Sequence, residues 1–295
     1  AEREIWKVLN YTPEGFLDSK KLKRIVITFN HPLAIKSGEE PEWTPKVTPA
    51  LPAGNWIVSG EKEDALIFEP SDPAADWPLS TTYTVKIVAG SLGAKNRPLA
   101  QELSFSFTTP TAKLMATYPD RNAIDISPYA PVVLVFDQPM DWKQLLNTNP
   151  KHRQLIIKHA NSSTEIEMER CEDVEALKAL QELHRAGTDY TRLITGADDC
   201  HWIALLPKKP FPRGTGITIH LESGLTSLAG PVRTREAVLD QTFTTRHAFH
   251  VTEARFIGGE DHLQFTFNAP LCGPKDDLTK IPWRPTIPPA PPAGQ

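Results

Sequence analysis

Four residues whose side chains could do chemistry together lie in the middle of the sequence: Cys171, His184, Cys200 and His201. Thiolates and imidazoles bind zinc, but these spacings match no usual zinc pattern. A disulfide between Cys171 and Cys200 and a pair of free thiols are the alternatives. Because the two cysteines bracket a segment that would otherwise be loosely held, we expect them to be bonded. Such a bond would stabilise the fold by about 3 to 4 kcal/mol.

Signatures of hydrolases and nucleotide-binding enzymes do not occur in the chain. The sequence contains no Gly-x-Ser-x-Gly and no His-Glu-x-x-His, and residues 90–95 are too short for a phosphate-binding loop and lack its final Ser or Thr. The carboxylate pair Asp198 and Asp199 has no identifiable facing partner, which a glycosidase would need. We therefore predict no catalytic residue, no cofactor, no metal site and no enzymatic activity.

Composition and charge limit the class of protein and its partners. The chain has 295 residues with a formal charge of −4, and its lysines and arginines are scattered, which argues against a nucleic-acid partner. Hydrophobic residues make up 40% and charged residues 23%, as in globular proteins, and no apolar run is long enough for a membrane span. The 28 prolines disfavour long helices. These features predict a soluble, folded fragment.

The strongest organising feature is a motif that occurs three times. In each copy, apolar residues run into a Phe, two further residues, and a Pro followed by an apolar residue; the copies are residues 25–33, 132–140 and 263–271. Proline cannot donate to a strand ladder, so each copy predicts a β-strand that leaves its sheet before the proline. Three copies predict three repeated units.

Two matching motifs close the first two units. Residues 103–109 and 241–246 both alternate polar and apolar positions and place Phe on the apolar side. The features between opening and closing motifs follow the same order in both units and predict about seven short strands in each. This spacing predicts an all-β fold of tandem antiparallel β-sandwiches. The phenylalanines expected to point into the cores are Phe29, Phe107, Phe136 and Phe243.

The chain therefore divides into three predicted parts. Residues 1–110 form the first sandwich and residues 111–246 the second, while residues 247–295 contain the opening hairpin of a third unit and a proline-rich tail. Six prolines in the eleven positions from Pro282 to Pro292 favour an extended conformation for that tail.

A short helical insertion interrupts the second unit. The helix is predicted over residues 172–186, because acidic residues lead it, Gly187 follows it, and its apolar residues recur about every three positions. The residues of this apolar stripe are Val174, Leu177, Leu180 and Leu183. We expect the insertion to lie on the surface of the second sandwich.

The motifs and their order resemble the bacterial Ig-like repeats and the macroglobulin domains of bacterial alpha-2-macroglobulins. The second unit has Ile-Ser-Pro at 126–128, a strand ending Phe-x-x-Pro-Met at 136–140, and a closing Phe-Thr-Thr strand. The first unit adds residues 47–49, 54–56, 66–70 and 77–85 in the order expected of an early macroglobulin domain. The resemblance covers most of residues 20–271.

Members of that family are large cell-envelope proteins, often lipid-anchored in the periplasm, that trap proteases with a cleavable bait and a Cys-x-Glu-Gln thioester. Cys171, Cys200 and Cys272 do not stand in such a tetrapeptide, so the resemblance implies a scaffold and not the trap. It implies a non-catalytic, N-terminal fragment of a periplasmic or envelope protein that inhibits proteases broadly. The implied partners are proteases, through the full-length protein, and neighbouring domains; a membrane would be reached only through a lipid anchor outside this fragment.

An Ig-like adhesin or a carbohydrate-binding surface module remains the alternative. Seven tryptophans could line a sugar-binding face. Trp56, Trp77 and Trp202, however, occupy repeated strand or turn positions, which favours packing in the core. An enzyme is the most remote of the three hypotheses.

Overall fold

The chain forms two compact units, Ala1–Thr245 and Arg246–Gln295. The computed structural model describes residues 5–18, 24–33, 35, 38–39, 43–60, 62–73, 77–93, 97–146, 154–184, 189–194, 201–235, 239–248, 251–257 and 262–267. Strands dominate these residues and the helices are short, so the predicted all-β fold is confirmed. Among these residues, no helix is both long and apolar enough to cross a membrane.

The first sandwich is built from ten strands of the described residues, seven of them with three residues or more. They are β1 (Val8–Thr12), β2 (Gly15–Phe16), β3 (Ile25–Phe29), β4 (Lys46–Thr48), β5 (Gly54–Ser59), β6 (Ala65–Pro70), β7 (Thr82–Ile87), β8 (Leu92–Gly93), β9 (Arg97–Pro98) and β10 (Leu103–Thr108). One sheet has the order β1-β3-β6-β5 and the other β2-β10-β7-β4, while β8 and β9 form a separate ribbon. Neighbours are antiparallel except β2 and β10, which pair in parallel.

The second sandwich repeats this arrangement in the same compact unit. Its elements are β11 (Leu114–Tyr118), β12 (Val132–Phe136), α1 (Trp142–Leu145), β13 (Leu155–His159), β14 (Met168–Cys171), α2 (Val174–His184), α3 (Thr191–Ile194), β15 (Trp202–Pro207), β16 (Gly216–Leu221) and β17 (Leu239–Thr244). The sheet orders are β11-β12-β15-β14 and β13-β16-β17. Both sandwiches belong to the compact unit Ala1–Thr245. The predicted division of the chain into three domains at residues 110 and 246 therefore stays a prediction.

The motif seen three times in the sequence makes the same bulged strand pair three times. Phe29 of β3 lies opposite Val8, Phe136 of β12 lies opposite Leu114, and in each case the partner strand bulges at its next residue. The second compact unit has the third copy, a hairpin of β18 (Val251–Ile257) and β19 (His262–Phe267) with the same bulge. A bulge at a fixed position strengthens the local twist and sets the register.

A side chain in the motif holds the start of the opening strand. The Oδ1 atom of Asn30 accepts a hydrogen bond from the Lys7 backbone N–H at 2.8 Å, and Oδ1 of Asp137 accepts one from the Lys113 N–H at 2.7 Å. Asn and Asp suit this position because their short side chains bond readily to the backbone. The residue after the motif's Phe therefore ties each opening strand to the strand beside it.

The core of each sandwich lies between its two sheets. The four phenylalanines predicted to point inward, Phe29, Phe107, Phe136 and Phe243, are at most 2% exposed, so this prediction is confirmed. Phe29 and Phe107 belong to one apolar cluster, and Phe136 and Phe243 to another. The two sandwiches thus have separate cores.

The helical insertion covers the outer face of a sheet in the second sandwich. Helix α2 begins after Asp173, whose Oδ1 accepts from the backbone N–H groups of Glu175 and Ala176. Leu177 of α2 is fully buried against β12 and β15, and the Tyr190 hydroxyl donates to the Leu177 carbonyl at 3.0 Å. Because the insertion lies on one face and the core on the other, all five residues of β12 are buried.

The predicted helix over 172–186 agrees with α2 in type and place. Residues 185–188, including Gly187, lie outside the described residues, so the end of the helix is not compared. Buried Leu177 and half-buried Val174 and Leu180 lie on one face, as the apolar stripe predicted.

Truncation of a core ring should destabilise its sandwich strongly. We expect Phe107→Ala to lower the free energy of unfolding by about 3 to 5 kcal/mol, because it removes buried apolar surface and leaves a cavity. Urea unfolding followed by tryptophan fluorescence measures this. Phe16→Ala is the matched control, since that ring is 50% exposed, and it should cost less than about 1 kcal/mol. Equal losses in the two variants would contradict the inward placement of Phe107.

Stability should fall at high pH through Tyr190. Burial, with smaller contributions from neighbouring Tyr118, Cys171 and Asp189, raises the pKa of this phenol above its ordinary value of 10.0. The folded protein holds this proton more tightly than the unfolded chain, so the contribution of Tyr190 to stability is constant below its ordinary pKa of 10.0 and declines above it. Tyr190→Phe should weaken this decline, measured by thermal unfolding against pH, whereas Tyr129→Phe, whose ring is exposed, should leave it unchanged.

Candidate functional site: the joint between the two sandwiches

The cysteines and histidines singled out in the sequence are only partly described. Cys171 is half-buried at the end of β14, and its Sγ lies 3.7 Å from the Asp173 carbonyl oxygen. Cys200 lies outside the described residues, as do Asp198, Asp199 and Cys272, so the Cys171–Cys200 disulfide stays a prediction. The described residues contain no cluster of three or more His, Cys, Asp or Glu that could hold a metal ion.

The described tryptophans pack in the cores of the sandwiches or, in the case of Trp202, beneath the helical insertion. Trp6, Trp56, Trp77, Trp142 and Trp202 are at most 7% exposed. Trp43 is half-buried and donates from Nε1 to the Leu92 carbonyl oxygen at 2.9 Å, and Trp283 lies outside the described residues. The core placement predicted for Trp56, Trp77 and Trp202 is confirmed, so these rings offer no face to a sugar.

The feature that stands out is a buried polar joint between the two sandwiches. Ser80, in the turn before β7, donates from Oγ to Oε1 of Gln138 at 2.9 Å, and both side chains are completely buried. The Gln138 Nε2 group donates in turn to the carbonyl oxygen of Pro110 at 2.8 Å. Three segments are thereby connected: a turn of the first sandwich, the linker, and the Phe-x-x-Pro motif of the second.

Backbone groups complete the joint. The Ser80 N–H donates to the Pro110 carbonyl at 3.0 Å, and the Ser80 carbonyl accepts from the Val232 N–H at 2.7 Å. These bonds require Ser80 to adopt a left-handed conformation, with φ of 49°, which is uncommon for a residue other than glycine. All of its polar groups are nevertheless paired, as burial demands.

Gly230 allows the two backbones to meet. A Cβ atom at this position would overlap the Leu79 carbonyl oxygen and lie 2.5 Å from the Ser80 carbonyl oxygen. Contacts this short with rigid backbone cannot be relieved by a side-chain rotation. Glycine is therefore required here by close approach of one sandwich to the other.

A threonine hydroxyl holds the turn that contains Ser80 through two hydrogen bonds, an arrangement that we call the threonine lock. The Thr109 Oγ1 atom accepts from the Thr81 N–H at 3.0 Å and donates to the Pro78 carbonyl at 2.8 Å. The second sandwich has the same lock, in which Thr245 Oγ1 accepts from Thr215 N–H and donates to the Pro212 carbonyl. The Thr that ends each closing strand thus fixes the turn before β7 or β16.

An open cleft of about 450 Å³ lies beside the joint. Its walls come from residues 16–18 of the first sandwich, residues 110–113 of the linker, and Leu114, Thr234 and Arg235 of the second sandwich. The Arg235 guanidinium carbon lies 3.9 Å from the centre of the Phe16 ring, a cation–π contact that crosses the cleft.

Sequence reasoning did not identify the joint residues as functional. Gln138 lies inside the repeated motif, and Ser80 lies inside residues 77–85, which carry part of the family resemblance. Nothing in either segment indicates that they meet, because Ser80 and Gln138 are 58 positions apart. His31, the counterpart of Gln138 in the first copy, shows that the position itself tolerates different side chains.

Comparisons with known proteins give one family match, which lies in the first sandwich. Residues 5–109 match the family described as bacterial Ig-like domain. A curated relative, circularly permutated Ras protein 2 of Dictyostelium discoideum, is 23% identical over 231 residues. That match covers 72% of this chain but only 6% of the relative, so the chain spans a small fraction of that protein's length.

Two solved structures also show similarity. Native alpha-2-macroglobulin from Escherichia coli, spanning domains MG0-NIE-MG1, is 13% identical, with 87% of this chain and 76% of that chain covered at a TM-score of 0.28. L,D-transpeptidase 3 from Mycobacterium tuberculosis is 12% identical, with 82% and 91% covered at a TM-score of 0.22. Residues 5–109 thus match the bacterial Ig-like domain family and form a β-sandwich in the structure.

Proposed function

We propose that this chain is a non-catalytic spacer, the N-terminal scaffold of a bacterial cell-envelope protein of the alpha-2-macroglobulin kind. The full-length protein would act as a broad protease inhibitor in the periplasm, attached to the membrane through a lipid outside this chain. Proteases would be partners of the whole protein, and neighbouring domains the direct partners of this chain. The order of the sequence motifs supports the family, and the joint supports the spacer role.

The observation that carries the proposal is the complete burial of Ser80 and Gln138 in the joint. If the sandwiches rotated apart, the hydroxyl, the amide and the Pro110 carbonyl would lose partners at once. Each buried polar group left unpaired costs about 1 to 3 kcal/mol. The joint therefore holds two Ig-like modules in one fixed orientation, which is what a spacer that sets distance and direction needs.

The alternative of a carbohydrate-binding module is less well supported. Sugar-binding sites of this type need exposed aromatic faces, and the described tryptophans are buried or half-buried. An adhesin would also use rigid Ig-like modules, so rigidity alone does not separate these two functions.

Loss of the joint's buried amide should loosen the orientation of the two sandwiches. Spin labels at Ser104 and Glu169, both exposed and one in each sandwich, report their separation by pulsed electron resonance after the native cysteines are replaced by serine. We expect a single narrow distance distribution in the parent and a broad one in Gln138→Ala, because Ser80 Oγ loses its partner and the Pro110 carbonyl keeps only its bond from the Ser80 N–H.

The matched control is Gln241→Ala. Gln241 is also a buried glutamine, and its Nε2 donates to a proline carbonyl, that of Pro119 at 2.7 Å, but all of its bonds stay within the second sandwich. This variant should lose about 1 to 3 kcal/mol of stability with no broadening. A parent distribution as broad as that of Gln138→Ala would refute the spacer function.

The isolated chain should neither cleave proteases' substrates nor capture proteases covalently. Incubation with several proteases, followed by denaturing electrophoresis, should reveal no adduct, and the proteases should retain full activity toward a protein substrate. An adduct or a turnover that disappears in Cys171→Ser, Cys200→Ser or Asp199→Asn would overturn the scaffold assignment and place chemistry in the insertion of the second sandwich.

A further inference from the structure

The cleft beside the joint lies between the two sandwiches and has the features of a ligand-binding site. Its walls belong to three chain segments whose relative position is held by the buried bonds of Ser80 and Gln138. A cleft held open in this way exists before any ligand arrives, and ligand sites are commonly found between domains for that reason. Its volume, about 450 Å³, is enough for a short stretch of peptide.

The charges that line the cleft favour an anion. Lys113 and Arg235 contribute two positive charges and Asp18 one negative charge. Among the described residues, no carboxylate forms an ion pair with Lys113 or Arg235. The contact with the Phe16 ring, 3.9 Å from the guanidinium carbon to the ring centre, holds Arg235 at the cleft without using a hydrogen-bond acceptor, so its N–H groups can bind a carboxylate.

The remaining wall is apolar or carries hydroxyl groups. The Phe16 ring is 50% exposed, a large fraction for an aromatic residue. Leu17, Ala112 and Leu114 extend this apolar surface, and Thr111 and Thr234 also line the cleft. An apolar surface next to two cations suits a ligand that has an apolar group and a carboxylate close together.

We propose that this cleft binds an extended, acidic peptide segment of a partner protein. A carboxylate side chain would bind Arg235 and Lys113, and a neighbouring apolar side chain would pack on Phe16. Because the walls come from both sandwiches, a bound segment contacts both modules at once. The site rests on the fixed joint for its shape, but peptide binding and module orientation are measured separately, so the failure of one proposal can be told from the failure of the other.

The probe for this site is the capped dipeptide acetyl-leucyl-aspartyl-amide, with acetyl-leucyl-asparaginyl-amide as its neutral counterpart. Titration of the isotope-labelled, full 295-residue chain is followed by two-dimensional NMR. We expect saturable shifts confined to the amides of residues 16–18, 111–114 and 234–235. The asparaginyl peptide should bind at least about fivefold more weakly than the aspartyl peptide, since it lacks the charge that Arg235 would pair with.

Three variants make the test specific. Arg235→Gln should weaken the aspartyl peptide by about fivefold or more, whereas Arg233→Gln, an exposed arginine that does not line the cleft, should leave the affinity unchanged. Asp18→Asn should strengthen binding by about twofold, because it removes the one carboxylate that repels the ligand. Thermal unfolding of each variant verifies that the fold is kept.

The proposal is overturned by any of three results: no saturable shift at these amides, equal affinity for the two dipeptides, or an equal loss of affinity in Arg235→Gln and Arg233→Gln. Binding that is unchanged in Asp18→Asn but lost in Arg235→Gln supports the arginine contact and places the ligand's carboxylate away from Asp18. The dipeptide titrations do not use the spin-label distances. A failure of peptide binding is therefore distinguished from a failure of the spacer function.

Discussion

The arrangement of the first 245 residues depends on one constraint, the burial of a serine hydroxyl and a glutamine amide between two β-sandwiches. Ser80 and Gln138 satisfy each other and the Pro110 carbonyl only in a single relative orientation. Water cannot replace these partners in a buried site, so rotation of the modules would leave polar groups unpaired. Gly230 makes the same orientation sterically possible. Two modules with separate cores therefore behave as one compact body.

The local parts that serve this constraint are the same in both sandwiches. The Asn or Asp after the motif's Phe ties down the opening strand, and the Thr after the closing strand locks the turn before β7 or β16. What differs is the residue presented by that locked turn. Ser80 supplies a hydroxyl in the first sandwich, while the second has Gly214, also left-handed with φ of 65°. The locked turn is thus common to both sandwiches, and only the Ser80 side chain of the first one forms the hydrogen bond to Gln138.

The second sandwich differs from the first mainly by its helical insertion. Leu177 and Tyr190 cover the outer face of the sheet that contains β12, and the Tyr190 hydroxyl is satisfied by the Leu177 carbonyl. This explains why β12 reads Val-Val-Leu-Val-Phe without alternation, whereas β3 reads Ile-Val-Ile-Thr-Phe with half-buried residues at alternate positions. β3 and β12 occupy the same place in the fold but differ in their pattern of buried residues, because only the outer face of β12 is covered by the helical insertion.

Local sequence determined the strands, their ends and the inward phenylalanines, because alternation, the Phe-x-x-Pro motif and the acidic start of α2 act over a few residues. The family resemblance rested on the same short-range patterns. The joint and the cleft were decided only by tertiary structure. Ser80, Gln138 and Val232 are far apart in the chain, and a serine or a glutamine by itself indicates nothing about its partner. Likewise, Arg235 becomes a candidate anion-binding residue only because folding stacks it on Phe16, more than two hundred positions away.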